Sequence, residues 1–209
     1  MLRLLFAAFL VLFGSPAGAA TEPLKWAGVK CCGTDISVGN DGSVWLIGNN
    51  GKVYRYSGST WDDRHGGRGR RIAVDPDGNP WITAKDKTIW RYDGKKWLKM
   101  PGRGSDIGIG ANGSVWLIGN KGEVFKWTGK TWSKERASNS RHIAVDPEGN
   151  PWITAKDNSI WRHDGKKWQK LPGAGNDIGI GGDGSVWLAG TGTRPSRARS
   201  TCSTARRRM

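Results

Sequence analysis

The sequence is short of nearly everything an enzyme or a metalloprotein requires. It has three cysteines and three histidines in 209 residues, and none of them sits at a metal-ligand spacing. Cys31 and Cys32 are adjacent, a placement in which closing a mutual disulfide is strained. Each is open to pairing with Cys202 or with another chain, or to remaining a free thiol. His65, His142 and His163 are scattered, and His142 corresponds to Arg71 in the repeat described below, so no histidine role is repeated. No Gly-x-Ser-x-Gly elbow, metal triad or isolated acid pair occurs. No cofactor is implied, and the expectation is a protein that is not an enzyme. Helix-forming runs are few.

Hydrophobic runs are equally short after the first twenty residues. Met1–Ala20 has the anatomy of a secretory signal peptide: Arg3 as the positive end, Leu4–Phe13 as the apolar stretch and Ala17-Gly18-Ala19 as a small-residue cleavage site. That stretch is too short for a permanent anchor. The sequence therefore predicts no transmembrane segment after signal removal, and a secreted or periplasmic location. Net charge is +15, but the excess is uneven. Arg3 and the six arginines after Gly190 leave 26 basic against 18 acidic residues between them. That moderate balance suits an anionic surface and is no mark of specific nucleic-acid binding.

What is abundant is tryptophan, 13, and glycine, 32, in a register. Gly42–Gly48 reads Gly-Ser-Val-Trp-Leu-Ile-Gly, recurs at Gly113–Gly119, and returns with one change at Gly184–Gly190. Gly-Asn-Pro-Trp-Ile-Thr-Ala lies between them at Gly78–Ala84 and Gly149–Ala155. Trp45, Trp81, Trp116, Trp152 and Trp187 are thus 36, 35, 36 and 35 residues apart, a period that marks a repeat architecture. Each unit offers four short strands. The first are Ile36–Val38, Ile72–Val74, Ile107–Ile109, Ile143–Val145 and Ile178–Ile180, and the second carry the Trp above. The third are Val53–Tyr56, Ile89–Tyr92, Val124–Trp127 and Ile160–His163, and the fourth carry Trp61, Trp97, Trp132 or Trp168. Ser-Gly and Asp-Gly turns separate them.

Four antiparallel strands in about 35 residues, in tandem, predict an all-β fold: a β-propeller of four-stranded blades. A β-sandwich of repeated hairpins is the competing architecture, but it has no need of the same Trp in every hairpin pair. The small residue in the middle of each first strand (Ser37, Ala73, Gly108, Ala144, Gly179) suits strands converging on an axis. Odd units read Asp-Ile then Gly-Ser-Val-Trp, and even ones Arg/His-Ile-Ala-Val-Asp-Pro then Gly-Asn-Pro-Trp, so the duplicated unit is a blade pair. Trp26 stands where the last strand of an even blade would end. Three pairs would make six blades, so the expectation is an incomplete six-bladed ring: four full blades plus partial ones. Residues 21–190 form the propeller. For residues 191–209 the expectation is a disordered, Arg-rich tail, with an interrupted frame or gene as the hypothesis for its non-native character. Open strand edges at the gap would favour self-association.

The Asp-Ile-Gly-Ile-Gly-x-x-Gly-Ser-Val-Trp-Leu pattern, strongest at Asp106–Ile118 and Asp177–Leu188 and close at Asp35–Ile47, resembles the tectonin family of β-propeller lectins over roughly Trp26–Gly190. The resemblance implies a six-bladed fold. It also implies binding of glycans, including bacterial surface polysaccharide and lipopolysaccharide, or service as a protein-interaction scaffold in the envelope or extracellular space. Carbohydrate stacks on flat apolar faces and is fixed by polar forks. Trp61, Trp97, Trp132 and Trp168 on the outer strands are the candidate stacking residues, although packing between blades is the competing use for any Trp here. Each third strand also carries one basic residue between two aromatic positions: Arg55, Arg91, Lys126 and Arg162. Alternation puts these on the opposite face from their aromatic neighbours, where they would suit acidic glycans or pair with Asp93, Asp164 or neighbouring loops. Asp75-Pro76-Asp77-Gly78 completes no calcium-loop spacing and reads as a turn. Asp35, Asp106 and Asp177 hold equivalent places, which points to a structural role.

Overall fold

A computed structural model describes residues 33–63 and 65–190. The signal-peptide segment, Trp26, Cys31, Cys32, Cys202 and the tail after Gly190 lie outside the described residues. The first blade consists of β1 (Gly33–Val38), β2 (Val44–Gly48), β3 (Val53–Tyr56) and β4 (Trp61–Asp62). The second has β5 (Arg71–Val74), β6 (Pro80–Thr83), β7 (Thr88–Tyr92) and β8 (Trp97–Arg103). The third has β9 (Asp106–Ile109), β10 (Val115–Ile118), β11 (Val124–Trp127) and β12 (Trp132–Lys134). The fourth has β13 (Ser140–Val145), β14 (Pro151–Ala155), β15 (Ile160–His163) and β16 (Trp168–Leu171). A fifth sheet holds two strands, β17 (Asp177–Ile180) and β18 (Val186–Ala189). Each sheet is an antiparallel meander in chain order. Four full blades and a partial one is the propeller the Trp register predicts, and among the described residues the sheets do not close into a ring.

Local chemistry sets the hairpins. The turn between second and third strands always has a left-handed residue at the same place: Gly51, Lys87, Gly122 and Asn158. Odd blades meet that requirement with glycine, which carries no steric penalty there. Even blades hold Lys87 and Asn158 in it, their positive φ fixed by Asp86 and Asp157, whose carboxylates accept the Thr88 and Ser159 amides.

Alternation along the second strand assigns its faces. Trp45 and Ile47 of the first blade cluster with Ile72, Val74, Ile82 and Tyr92 of the second. Trp81 and Ile89 meet Ile107, Val115 and Leu117 of the third, and Trp116, Ile118 and Val124 meet Ile143, Val145 and Ile153 of the fourth. The core is therefore a series of layers between blades. The first strands β1, β5, β9, β13 and β17 neighbour one another in succession, as the small residues at their centres require.

Among the described residues, the two end sheets of the series have a neighbouring sheet on one side only. Trp187 is 39% exposed, whereas Trp45, Trp81, Trp116 and Trp152 are at most 5% exposed. Ile36 is 58% exposed where its counterpart Ile72 is 5% exposed. This difference makes a direct test of the layered core. Ile72→Ala should cost about 2–5 kcal/mol of stability and Ile36→Ala close to nothing, measured by urea unfolding followed through Trp fluorescence. Equal losses would mean that another surface covers β1 in solution and that the open edge is not as described.

Candidate ligand-binding surface

Antiparallel register sets the basic residue of each third strand directly opposite the Trp of its second strand: Trp45 with Arg55, Trp81 with Arg91, Trp116 with Lys126 and Trp152 with Arg162. The cation lies over the indole at 5.6, 5.4, 5.3 and 5.1 Å from the ring centroid, respectively. The alternation argument holds: the basic groups share a face with the buried Trp and not with their own aromatic neighbours. They act as lids over the inter-blade core.

The four lids are not equivalent. In even blades a carboxylate from the turn between first and second strands reaches the guanidinium, Asp75 to Arg91 and Asp146 to Arg162, both at 3.4 Å. Asp93 and Asp164, close in sequence, instead accept the amides of Lys95, Lys96, Lys166 and Lys167 within their own turns. In odd blades the position of Asp75 is Gly39 or Gly110. A Cβ at Gly110 would come within 2.7 Å of the Asp146 carbonyl, so the neighbouring backbone excludes a side chain there. Arg55 and Lys126 are exposed and have no ion pair among the described residues. Asp75 is also committed to its turn, accepting the amides of Asp77 and Asn79, which agrees with the turn reading of that tetrapeptide.

Trp61, Trp97, Trp132 and Trp168 are all half-buried. Each packs, tilted or edge-on, on the residue ending its third strand: Tyr56, Tyr92, Trp127 and His163, at 5.0–5.4 Å between centroids. Trp97 donates its indole N–H to the His65 carbonyl in the connection between β4 and β5, and Trp132 to the Pro101 carbonyl in β8. Within one blade these Trp and the basic residues lie on opposite faces, so the structure does not bring them together there. It brings them together across blades. Arg55 covers Trp45, whose ring meets Tyr92, which packs on Trp97. Likewise Arg91 covers Trp81, which meets Trp127 and then Trp132. Lys126 covers Trp116, which meets His163 and then Trp168. Three chains of ring contacts therefore each link a cation of one blade to an outer indole of the next. Sequence spacing alone gave no sign of this offset, because both sets recur at the same period.

A second feature escaped the sequence reading. At the starting end of the first strands, Asp35, Arg71, Asp106, His142 and Asp177 form a chain of neighbouring charges around the axial cavity. Arg71 lies 3.8 Å from Asp35 and 3.9 Å from Asp106, while His142 Nδ1 lies 3.3 Å from Asp106 and 3.7 Å from Asp177. Arg71 and His142 thus do repeat one role, sitting between carboxylates, which corrects the view of the histidines as unrelated. The carboxylates also stitch blades together. Asp35 accepts the Ile72 amide at 2.8 Å, and Asp106 accepts the Ile143 amide at 3.1 Å. These are bonds between first strands that belong to separate sheets.

Burial pushes the Asp35 carboxyl up to about 6, against the lowering influence of the Ile72 amide and Arg71. In the unfolded chain this group releases its proton near the ordinary carboxylate value, so between about 4 and 6 the folded state binds more protons. Folding stability should fall as pH rises through that window, and the full penalty applies above about 6. Asp35→Asn, which keeps an acceptor for Ile72 and cannot ionise, should lose this dependence. Urea midpoints of the two proteins from pH 4 to 7 check it: parallel curves would contradict the assignment.

Comparison with known proteins fits this geometry. The Tectonin domain family matches residues 32–110 and, in a second overlapping alignment, residues 68–152. No curated protein matches. Among solved structures, "YCF48 bound to D1 peptide" superposes with a TM-score of 0.53 at 19% identity, covering 80% of this chain and 64% of that one. YCF48 from Cyanidioschyzon merolae gives 0.57 at 18% identity, with 86% and 73% covered. U3-55K gives 0.60 at 12% identity, with 78% and 62% covered. This chain thus spans less than two thirds of the length of the first and third. These likenesses concern the fold alone. The family matches span more than half of the chain, on tandem four-stranded sheets with one Trp per second strand: the chain belongs to the tectonin family of β-propellers.

Proposed function

We propose that this protein is a secreted or periplasmic, non-enzymatic carbohydrate-binding propeller that recognises surface glycans or lipopolysaccharide through repeated sites. The observation that carries the reading is the exposed cation of the odd blades, Arg55 and Lys126, set over a buried Trp that contacts, through Tyr92 or His163, the half-buried Trp97 or Trp168 of the next blade. An indole edge offers a surface for sugar C–H groups, and the cation fixes a hydroxyl, carboxylate or phosphate. The Arg91 groove has the same parts with its charge compensated by Asp75, so it would favour neutral glycans. Several weak and similar grooves suit a polymeric surface, where avidity multiplies modest single-site affinity. In support of a non-enzymatic role, the axial carboxylates Asp35, Asp106 and Asp177 are each engaged by a backbone amide and lie beside Arg71 or His142.

A protein-interaction scaffold is the second reading. It is favoured by the peptide complex of the similarly folded YCF48 and by the outer edge of β18, which has no partner strand among the described residues. Binding of the purified protein to immobilised lipopolysaccharide and to neutral and acidic glycans separates the two. The double variant Arg55→Gln, Lys126→Gln should lose about tenfold or more in affinity for acidic glycans. Arg91→Gln, Arg162→Gln should lose less, and binding should weaken as salt is raised. Absence of binding to any glycan or lipopolysaccharide, with a polypeptide captured through the β18 edge, would replace the lectin reading by the scaffold.

A further inference from the structure

A cavity of about 510 Å³ opens between the first and second blades, at the end where the first strands begin. Thr34, Asn49, Arg70, Arg71, Lys85 and three glycines line it, and no carboxylate does. Arg71 is held by Asp35 and Asp106. Arg70 and Lys85 are exposed, and neither side chain has an ion pair or hydrogen bond among the described residues. They reach the cavity from the same even blade, Arg70 from the approach to β5 and Lys85 from the turn between β6 and β7. Gly51, at φ 77°, and Gly69 close its floor with backbone, the Gly69 amide donating to the Gly51 carbonyl. A group entering the cavity therefore meets two cations, a side-chain amide and main chain.

The 71-residue duplication supplies an internal comparison. It carries Arg70 to Arg141, Lys85 to Lys156, Asn49 to Asn120 and the hydroxyl of Thr34 to that of Ser105. Over the same interval Arg68 becomes Asn139, Lys87 becomes Asn158 and Arg103 becomes Ala174. Neighbouring surface charges were lost in one copy, while the pocket's cations were kept in both. Arg141 and Lys156 are likewise exposed and without an ion pair. Gly69 is replaced by Ser140, which is 2% exposed and whose hydroxyl has no hydrogen-bond partner.

We propose that the groove at Arg70 and Lys85, and its duplicate at Arg141 and Lys156, are oxyanion sites that take a phosphate group, either free or as the monoester of a sugar. A guanidinium fork grips two oxygens of a tetrahedral oxyanion, an ammonium adds a point charge, and the glycine-bordered floor lets the group approach the backbone. The sites share no residue with the grooves at Arg55 and Lys126, so the failure of either assignment leaves the other standing.

The test is a titration of the uniformly 15N-labelled protein, full chain, with inorganic phosphate, glucose 6-phosphate and glucose in separate series at low salt. Saturable amide shifts are expected at Gly69, Arg70 and Lys85 and at Ser140, Arg141 and Lys156, with both phosphates and without effect from glucose. A stronger response to glucose 6-phosphate would assign a sugar ester as the source, and an equal response the phosphate group itself. Arg70→Gln, Lys85→Gln should weaken the first site by about tenfold or more and leave the second unchanged, the unaltered remainder of the spectrum reporting an intact fold. Arg141→Gln, Lys156→Gln should do the converse. Shifts that fail to saturate and spread over all surface lysines, shifts produced equally by glucose, or no shifts at these amides would each overturn the proposal.

Discussion

Trp45, Trp81 and Trp116 of the second strands are each buried against the sheet that follows their own. Trp45 and Trp116 make the dependence concrete, since each passes its indole N–H to a turn carbonyl of the next blade, Gly78 at 3.1 Å and Gly149 at 3.0 Å. Burying an indole is worth several kcal/mol only when its polar edge is also satisfied. A single blade cannot bury the ring on its own, although the fourth blade satisfies the Trp152 N–H with its own Asp146 carboxylate. The chain is therefore stable as a succession and not as a set of independent hairpins. The same dependence explains the first strands. They approach closely enough that their centres must be small, and Asp35 and Asp106 join them by accepting amides from the neighbouring sheet.

The blade pair divides two tasks through one position. Where the chain leaves the first strand, even blades have Asp75 or Asp146 and odd blades have Gly39 or Gly110. The carboxylate builds its own turn and compensates the guanidinium above the Trp. The glycine lets the next blade come close and supplies no carboxylate at that position. One substitution pattern thus sets both the tightness of a junction and the charge of the groove beside it, which places Arg55 and Lys126 in the foreground as ligand contacts. At the other end of the strands the pattern is reversed. There the even blades carry the unpaired cations, Arg70 with Lys85 and Arg141 with Lys156, and the odd blades carry the carboxylates around the axis.

The features legible in the sequence were those set locally and repeated in phase. The 35–36-residue Trp spacing gave the blades, the Asp-Gly and Ser-Gly pairs gave the turns, and period-two alternation put Arg55 and its equivalents on the Trp face. Features that depend on which elements become neighbours were not legible. Asp93 is two residues from Arg91, but its side chain points into its own turn. Asp75, sixteen residues away, is brought to Arg91 by the antiparallel meander. Arg71 and His142 looked unrelated because their residue types differ, although each sits between two carboxylates, Asp35 and Asp106 for the first and Asp106 and Asp177 for the second. The pairing of Arg55 with Trp97, and not with Trp61, follows from the stacking of blades, which no spacing within one repeat encodes.

Binding spread over look-alike grooves, each assembled from two adjacent blades, is the central claim, and the number of ligands held per chain tests it most directly. Native mass spectrometry of the protein with a short acidic oligosaccharide should show bound states beyond one ligand per chain, with similar affinity for each successive step. A single bound ligand per chain at saturation, unaffected by the cations over Trp45 and Trp116, would contradict it.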